Sequence, residues 1–177
     1  MTSENLSEKV NEAVKDLDFE SQKYQIELET SKGKITLDLF PDVAPGHCRN
    51  IIGLTKLGFY NNLNFHRIVK GFVIQGGCPE GTGTGGPGFN VKAEFNKKPH
   101  QAGVLSMARA QDPDSAGSQF FICLADVPYL DGQYTVFGQT ADSESLDVVL
   151  NIGQAETGAG DCPVEEIKII EAKVLSH

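Results

Sequence analysis

An antiparallel β-barrel or sandwich, a mainly β fold, is the architecture this 177-residue sequence predicts. Three observations carry that expectation. Short runs of period-two alternation recur along most of the chain, two or three segments have helical spacing, and polar or glycine-rich loops separate the runs. At 40% hydrophobic residues, a chain of this length suits one globular domain whose core needs no disulfide staples.

The elements follow in order. Leu6, Val10, Ala13, Val14 and Leu17 recur at helical spacing and predict an amphipathic helix over residues 3–18. "YQIELET" and "KITLDLF" alternate around "SKG" and predict a hairpin. Pro45 suits the first turn of a helix through "GHCRNIIGLTKL", with Gly58 as its stop. Two short apolar runs, "FHRIV" and "FVIQ", come next, and then the glycine-rich "GGCPEGTGTGGPGF". "GVLSMARA", "SQFFICLA" and "YTVFGQT" predict three strands. "SESLDVVLNIG" has helical spacing and a serine cap, and "VEEIKIIEAKVL" reads as a closing strand.

The pair of runs within "NFHRIVKGFVIQGG" holds an arginine and a glutamine that a buried strand would not want. Alternation puts Phe65, Arg67 and Val69 on one face and His66 and Ile68 on the other. A two-residue Lys70-Gly71 turn sets Arg67 opposite Ile74, whereas a three-residue Lys70-Gly71-Phe72 loop sets it opposite Gln75. Turn chemistry prefers the shorter loop. Face sorting prefers the longer one, which gathers both isoleucines on one side, and we adopt it. In "SQFFICLA", Gln119, Phe121 and Cys123 share one face, Phe120, Ile122 and Leu124 the other. One side of the sheet is then purely apolar, and the other mixes Arg67, Gln75 and Gln119 with Val73 and Phe121. That mixture describes either a ligand groove or a solvated outer face, and spacing alone leaves the two open.

Several function classes lack their residues. A net charge of −9 opposes binding to a phosphate backbone and provides no polybasic membrane anchor. No segment approaches the ~20 apolar residues that span a bilayer, and the acidic N-terminus does not resemble a signal peptide. Cys48, Cys78, Cys123 and Cys162 form no C-x-x-C pair and have no histidine at ligand spacing, so they read as ordinary thiols and no metal is expected. A soluble, reduced, cytoplasmic protein is the expectation. "GTGTGG" fits G-x-G-x-x-G, but Pro87, Gly88 and Phe89 follow where a dinucleotide site needs a helix. His66, beside Ile68 on the apolar side, reads as a satisfied core histidine. No nucleophile–base pair is apparent, so any chemistry here must need none.

Taken in order, "FHRIVKGFVIQGG", "GTGTGG", "GVLSMARA" and "GSQFFICLADVPYLDGQYTVFG" resemble the cyclophilin family of peptidyl-prolyl cis-trans isomerases, from about Tyr24 to Val174. The resemblance implies a closed eight-stranded antiparallel β-barrel capped by two helices, with the N-terminal helix as an extra. Residues 1–20 then form a helical extension and residues 21–177 the isomerase domain. It implies a cofactor-free enzyme acting on X–Pro bonds in peptides and unfolded proteins, and so assisting folding. Arg67, Gln75 and Phe72 match the catalytic positions. Val73, Ala108, Arg109, Gln119, Phe121, Tyr129, Leu130 and Tyr134 match substrate-binding positions, and Gly83, Thr84 and Gly85 border the subsite for residues before the proline. Four positions depart from the best-known eukaryotic pattern, where Tyr129, Tyr134, Val73 and Arg109 replace tryptophan, histidine, methionine and asparagine. This variant looks bacterial-like. It lacks the indole N–H that cyclosporin uses in the family, which implies weak binding of that drug. A binding module with little turnover is the rival reading. Nothing in the sequence points to an oligomer, so a monomer is expected.

Overall fold

The computed structural model describes residues 3–177. Helix α1 (Ser3–Ala13) precedes the hairpin β1 (Tyr24–Thr30) and β2 (Gly33–Leu39), and helix α2 (Pro45–Lys56) follows. Strands β3 (Arg67–Val69), β4 (Val73–Gly76), β5 (Val104–Met107), β6 (Phe120–Cys123) and β7 (Val136–Thr140) come next, then helix α3 (Ser143–Ile152) and strand β8 (Ile169–Ser176). All eight strands join one antiparallel sheet in the order β3-β4-β6-β5-β7-β2-β1-β8. Among the described residues no helix is long and apolar enough to cross a membrane.

The sheet is strongly curled but open, which corrects the expected closed barrel; the two expected helices and the N-terminal one together cap it. Its ends, β3 and β8, form no ladder with each other; they approach through the single bridge Asn64↔Lys168, which precedes both strands. Beyond that bridge each side is engaged elsewhere or turns away: Pro163 bridges Thr157 and Val164 N donates to Glu156 O (2.8 Å), while Asn61 and Asn62 lie in the turn that follows α2. What holds the seam are the bonds Asn62 N to Ile169 O (2.8 Å), Phe65 N to Ile167 O (2.9 Å) and Ile169 N to Leu63 O (2.7 Å).

Other boundaries shift for local reasons. Helix α1 stops at Ala13 rather than 18: Lys15 N and Leu17 N bond only three residues back, to Glu12 O and Val14 O, and the Asp18 carboxylate then collects the N–H groups of Glu20 and Ser21 in a further turn. The cap of α3 is Asp142, whose side chain accepts from Ser145 N, not the serine. The closing strand begins at Ile169, five residues beyond the predicted run's start. Pro45 does open α2, and Gly58 lies just past its end at φ +75°.

The three-residue loop is the one formed: Arg67 pairs with Gln75, Ile68 with Ile74 and Val69 with Val73, around Gly71 at φ +72°. Inside the curl, Ile68, Ile74, Phe120 and Ile122 join the main core with Ile35, Leu37 and Leu105. On the outer face a smaller cluster gathers Val73, Phe121, Cys123, Val127, Leu130 and Val136, with Phe72 and Tyr134 packed against it. Phe65 departs from the predicted alternation and enters the main core, since regular strand geometry begins only at Arg67. His66 is buried, but its Nδ1 has no partner, so it is not the satisfied core histidine expected.

Candidate active site on the outer face of the sheet

The mixed face is built by β3, β4 and β6, whose register places Arg67, Gln75 and Phe121 in a row: Arg67 opposite Gln75, and Gln75 opposite Phe121. Polar side chains on this face form one directional relay. Gln119 Nε2 donates to the carbonyls of Gly83 and Gly85, both at 2.9 Å. That leaves its Oε1 to accept from Gln75 Nε2 at 3.0 Å, and Gln75 Oε1 to accept from Arg67 Nη1 at 3.3 Å. Each amide can point only one way, so the guanidinium is held by a chain anchored in the glycine loop. One such bond leaves most of the five guanidinium donors uncommitted.

Beside the relay is a small cavity of about 210 Å³, lined by Arg67, Phe72, Val73, Gln75, Ala108, Arg109, Phe121, Leu130 and Tyr134. Its floor is apolar and buried: Val73, Phe121 and Leu130 are at most 9% exposed. Tyr134 stands edge-on to Phe121, ring centroids 5.7 Å apart. A second groove of about 440 Å³ adjoins it and shares Gln75, Ala108 and Arg109; Gly83, Thr84, Gly85 and Gln119 form part of its wall. At the junction Arg109 folds back over the Tyr134 ring, 4.7 Å from its centroid, and bonds Gln133 O through Nη2 (2.7 Å). Ala108 N donates to Gln119 O at 3.1 Å. Tyr129 lines neither cavity; 70% exposed, it stacks on Phe72 with centroids 6.1 Å apart.

Two supports escaped the sequence reading. Beneath Phe121, the buried His100 ring lies nearly parallel to it at 6.1 Å. His100 Nδ1 is 3.0 Å from Asp131 Oδ1 and Nε2 is 2.9 Å from Ser106 Oγ, so residues from three segments fix the cavity floor. Burial lowers the basicity of His100, although the Asp131 carboxylate works the other way. The other support is Cys78, whose Sγ accepts from Gly83 N and Gly85 N at 3.3 Å each. Burial pushes this thiol's pKa up. Bonds from the backbone N–H groups of Gly85, Gly83, Thr82 and Glu80 together outweigh that and hold it below its ordinary value. Glycine-rich sequence next to a cysteine was the available signal for this nest. His100 had none: Asp131 lies 31 residues on, and the nearer Ser106 reaches it only through the fold.

All four cysteines are free. Among the described residues no group of three or more His, Cys, Asp or Glu side chains is placed to hold a metal ion. The arrangement is a fixed, permanently charged donor beside an apolar slot, with neither nucleophile nor general base. It suits a reaction in which a hydrogen-bond acceptor develops on an apolar ring and no covalent bond is exchanged.

Comparison with known proteins agrees with that chemistry. Residues 25–174 match the family described as cyclophilin type peptidyl-prolyl cis-trans isomerase/CLD. A peptidyl-prolyl cis-trans isomerase of Helicobacter pylori strain J99 is 53% identical over 131 residues, which is 73% of this chain and 80% of the relative. One from Synechococcus elongatus is 54% identical over 125 residues, 71% of this chain and 86% of the relative. Among solved structures, a Cryptosporidium parvum cyclophilin type peptidyl-prolyl cis-trans isomerase, crystallised in the presence of the dipeptide Ala-Pro, superposes with a TM-score of 0.79 at 34% identity. It covers 86% of this chain and 99% of that one.

Proposed function

Because this chain belongs to the cyclophilin-type peptidyl-prolyl cis-trans isomerases, we propose that Arg67 is the residue that catalyses its reaction, with Gln75 orienting it and Phe72 gripping the substrate ring. The protein accelerates rotation about X–Pro bonds in peptides and unfolded proteins, and so assists folding. Planar amide resonance sets a barrier of ~18–20 kcal/mol, so the uncatalysed rotation takes tens to hundreds of seconds. As the bond twists, the proline nitrogen regains its lone pair and becomes an acceptor. Arg67 donates to it there, and the bond is absent from both planar ground states, so the transition state alone gains it.

The small cavity receives the pyrrolidine ring against Phe72, Val73, Phe121, Leu130 and Tyr134. The Ala108–Arg109 stretch flanks the substrate chain, Gln119 steadies the relay, Tyr129 extends the wall through Phe72, and the groove at Gly83, Thr84 and Gly85 takes residues before the proline. An acceleration of about five decades needs about 7 kcal/mol. A preorganised donor supplies ~2.7–4 kcal/mol of that, and the apolar slot, which favours the less polar twisted amide, must supply the rest. The relay from Gln119 through Gln75 to Arg67, beside an apolar cavity of proline size, is the observation that carries this reading.

NMR exchange on a short Ala-Pro peptide tests it, with wild type and Arg67→Ala side by side. The variant should lose at least about a hundredfold in rate, about 2.7 kcal/mol of transition-state binding. Unchanged exchange would remove Arg67 from the mechanism, and binding without accelerated exchange would recast the fold as a proline-peptide module.

Residues 21–177 are read as the isomerase domain and residues 1–20 as its helical extension, of which Met1 and Thr2 lie outside the described residues. The protein is a cytoplasmic monomer in this reading, and sedimentation tests the latter. It binds cyclosporin weakly, because Tyr129 offers a hydroxyl at the tip of an exposed ring where the family pattern has an indole N–H. A nanomolar dissociation constant by titration would contradict that.

A further inference from the structure

We propose that the cleft between α1 and the segment 89–94 is a second client-binding surface, taking the extended chain several residues upstream of the X–Pro bond. The inference rests on reading the 440 Å³ groove as the site for residues before the proline. The cleft has a volume of about 570 Å³, and Val10, Val14 and Val91 are among the residues that line it. Its wall from α1 lies outside the family domain, which begins at residue 25, so this surface is an addition to the common scaffold.

Three observations point to the occupant. First, Phe89 and Asn90 line both the cleft and the groove, so a chain leaving the groove over that pair arrives in the cleft. Asn50 reinforces the connection: 5% exposed, it lines the cleft, while its Nδ2 donates to the carbonyl of Gly117, a groove residue, at 2.7 Å. Its Oδ1 is buried without a partner. Second, the wall is firmly seated. A Cβ at Gly53 of α2 would meet Val10 Cγ1 at 2.7 Å and Val14 Cγ1 at 3.1 Å, so α1 docks against bare backbone at that position. Third, charge selects the sequence. Arg49 and Lys92 line the cleft in no ion pair among the described residues, whereas Glu94, its one acid, already accepts from Gly46 N, His47 N and His47 Nδ1. The preferred upstream segment is therefore apolar with an acidic side chain, and its affinity falls with salt.

Two peptides separate this surface from the catalytic site in the whole 177-residue chain. One is the short Ala-Pro peptide, and the other carries about ten further upstream residues, apolar with two glutamates, which span ~33 Å when extended. Asn11→Trp fills the cleft from an exposed position on α1, and Lys92→Glu reverses a charge on the opposite wall. The long peptide should bind wild type about tenfold tighter than the short one, and each variant should remove that gain without altering exchange of the short peptide. Replacing the two glutamates by lysines should restore tight binding to Lys92→Glu. Equal affinity of the two peptides for wild type, or an unchanged gain in both variants, overturns the proposal. The short peptide with Arg67→Ala tests the underlying site separately, since that peptide does not reach the cleft.

Discussion

At the scale of single residues, function depends on polar groups having one available orientation. Gln119 illustrates this, since two carbonyls of the glycine loop take its amide hydrogens and thereby decide how Gln75 and Arg67 point. Gln119→Ala should lower kcat/KM on an Ala-Pro peptide about tenfold, close to 1.4 kcal/mol of transition-state binding. The two carbonyls belong to an exposed loop that water can serve, so global stability should fall by only about 1 kcal/mol. A kcat/KM equal to wild type would show that Arg67 needs no relay. Alternation made the face of Arg67, Gln75 and Gln119 legible, because a side chain's face depends only on its own strand. It could not reveal the supports of the site. Cys78 acts through peptide N–H groups, which every residue but proline has, and His100 meets Asp131 and Ser106 only after folding. Phe65 misled for a related reason: it precedes the regular strand, and period two says nothing there.

Secondary-structure elements here are held in place by distant side chains as much as by their own sequence. Ala44 precedes α2 and gives no side-chain cap; Pro45 fixes the first turn but satisfies none of the free N–H groups. Glu94 reaches in from 47 residues downstream of His47 and accepts from Gly46 N at 3.1 Å, His47 N at 2.8 Å and His47 Nδ1 at 2.7 Å. Partial burial alone would raise the carboxyl's pKa, but these bonds together hold it below the ordinary glutamate value. A carboxylate with a depressed folded pKa adds stability that is complete above its unfolded pKa. That stability is lost as the pH falls below the usual glutamate range and through the folded value. Glu94→Gln should cost about 1–2 kcal/mol at neutral pH, the size of a lost helix cap. The cost should shrink in acid, where the wild-type group is protonated as well. Urea unfolding of both proteins between neutral pH and pH 3 checks this, and parallel curves would mean that Glu94 is not the cap. No local pattern could have announced it, since the sequence around α2 shows only proline and glycine at its ends.

For the whole molecule, the question is what an open sheet does where a closed barrel was expected. Strand count and the hairpin pairings follow from alternation and turn signals, but closure depends on what the seam residues pair with, and there Pro163 bridges Thr157, Val164 N donates to Glu156 O, and the chain turns at Asn61 and Asn62. The seam therefore relies on a few backbone bonds, with Asn61 Oδ1 accepting from Ala172 N at 2.9 Å as reinforcement. Interior strands have a neighbour on both sides: β1 lies between β2 and β8, and β6 between β4 and β5. Local opening costs least where the fewest neighbouring bonds must break together. Native-state hydrogen exchange should then divide the amides by position rather than by burial. Phe65 and Ile169 are both fully buried, yet their amides bond only across the seam and should exchange through a local opening well below the global unfolding free energy. Leu28 and Ile122, equally buried but inside continuous ladders, should exchange only through global unfolding. Denaturant dependence separates the two routes, since a local opening exposes little surface and its exchange free energy barely changes with urea. Should Phe65 and Ile169 follow the same steep dependence as Leu28, the seam would be as cooperative as a closed ladder, and the opening between β3 and β8 would have no energetic meaning.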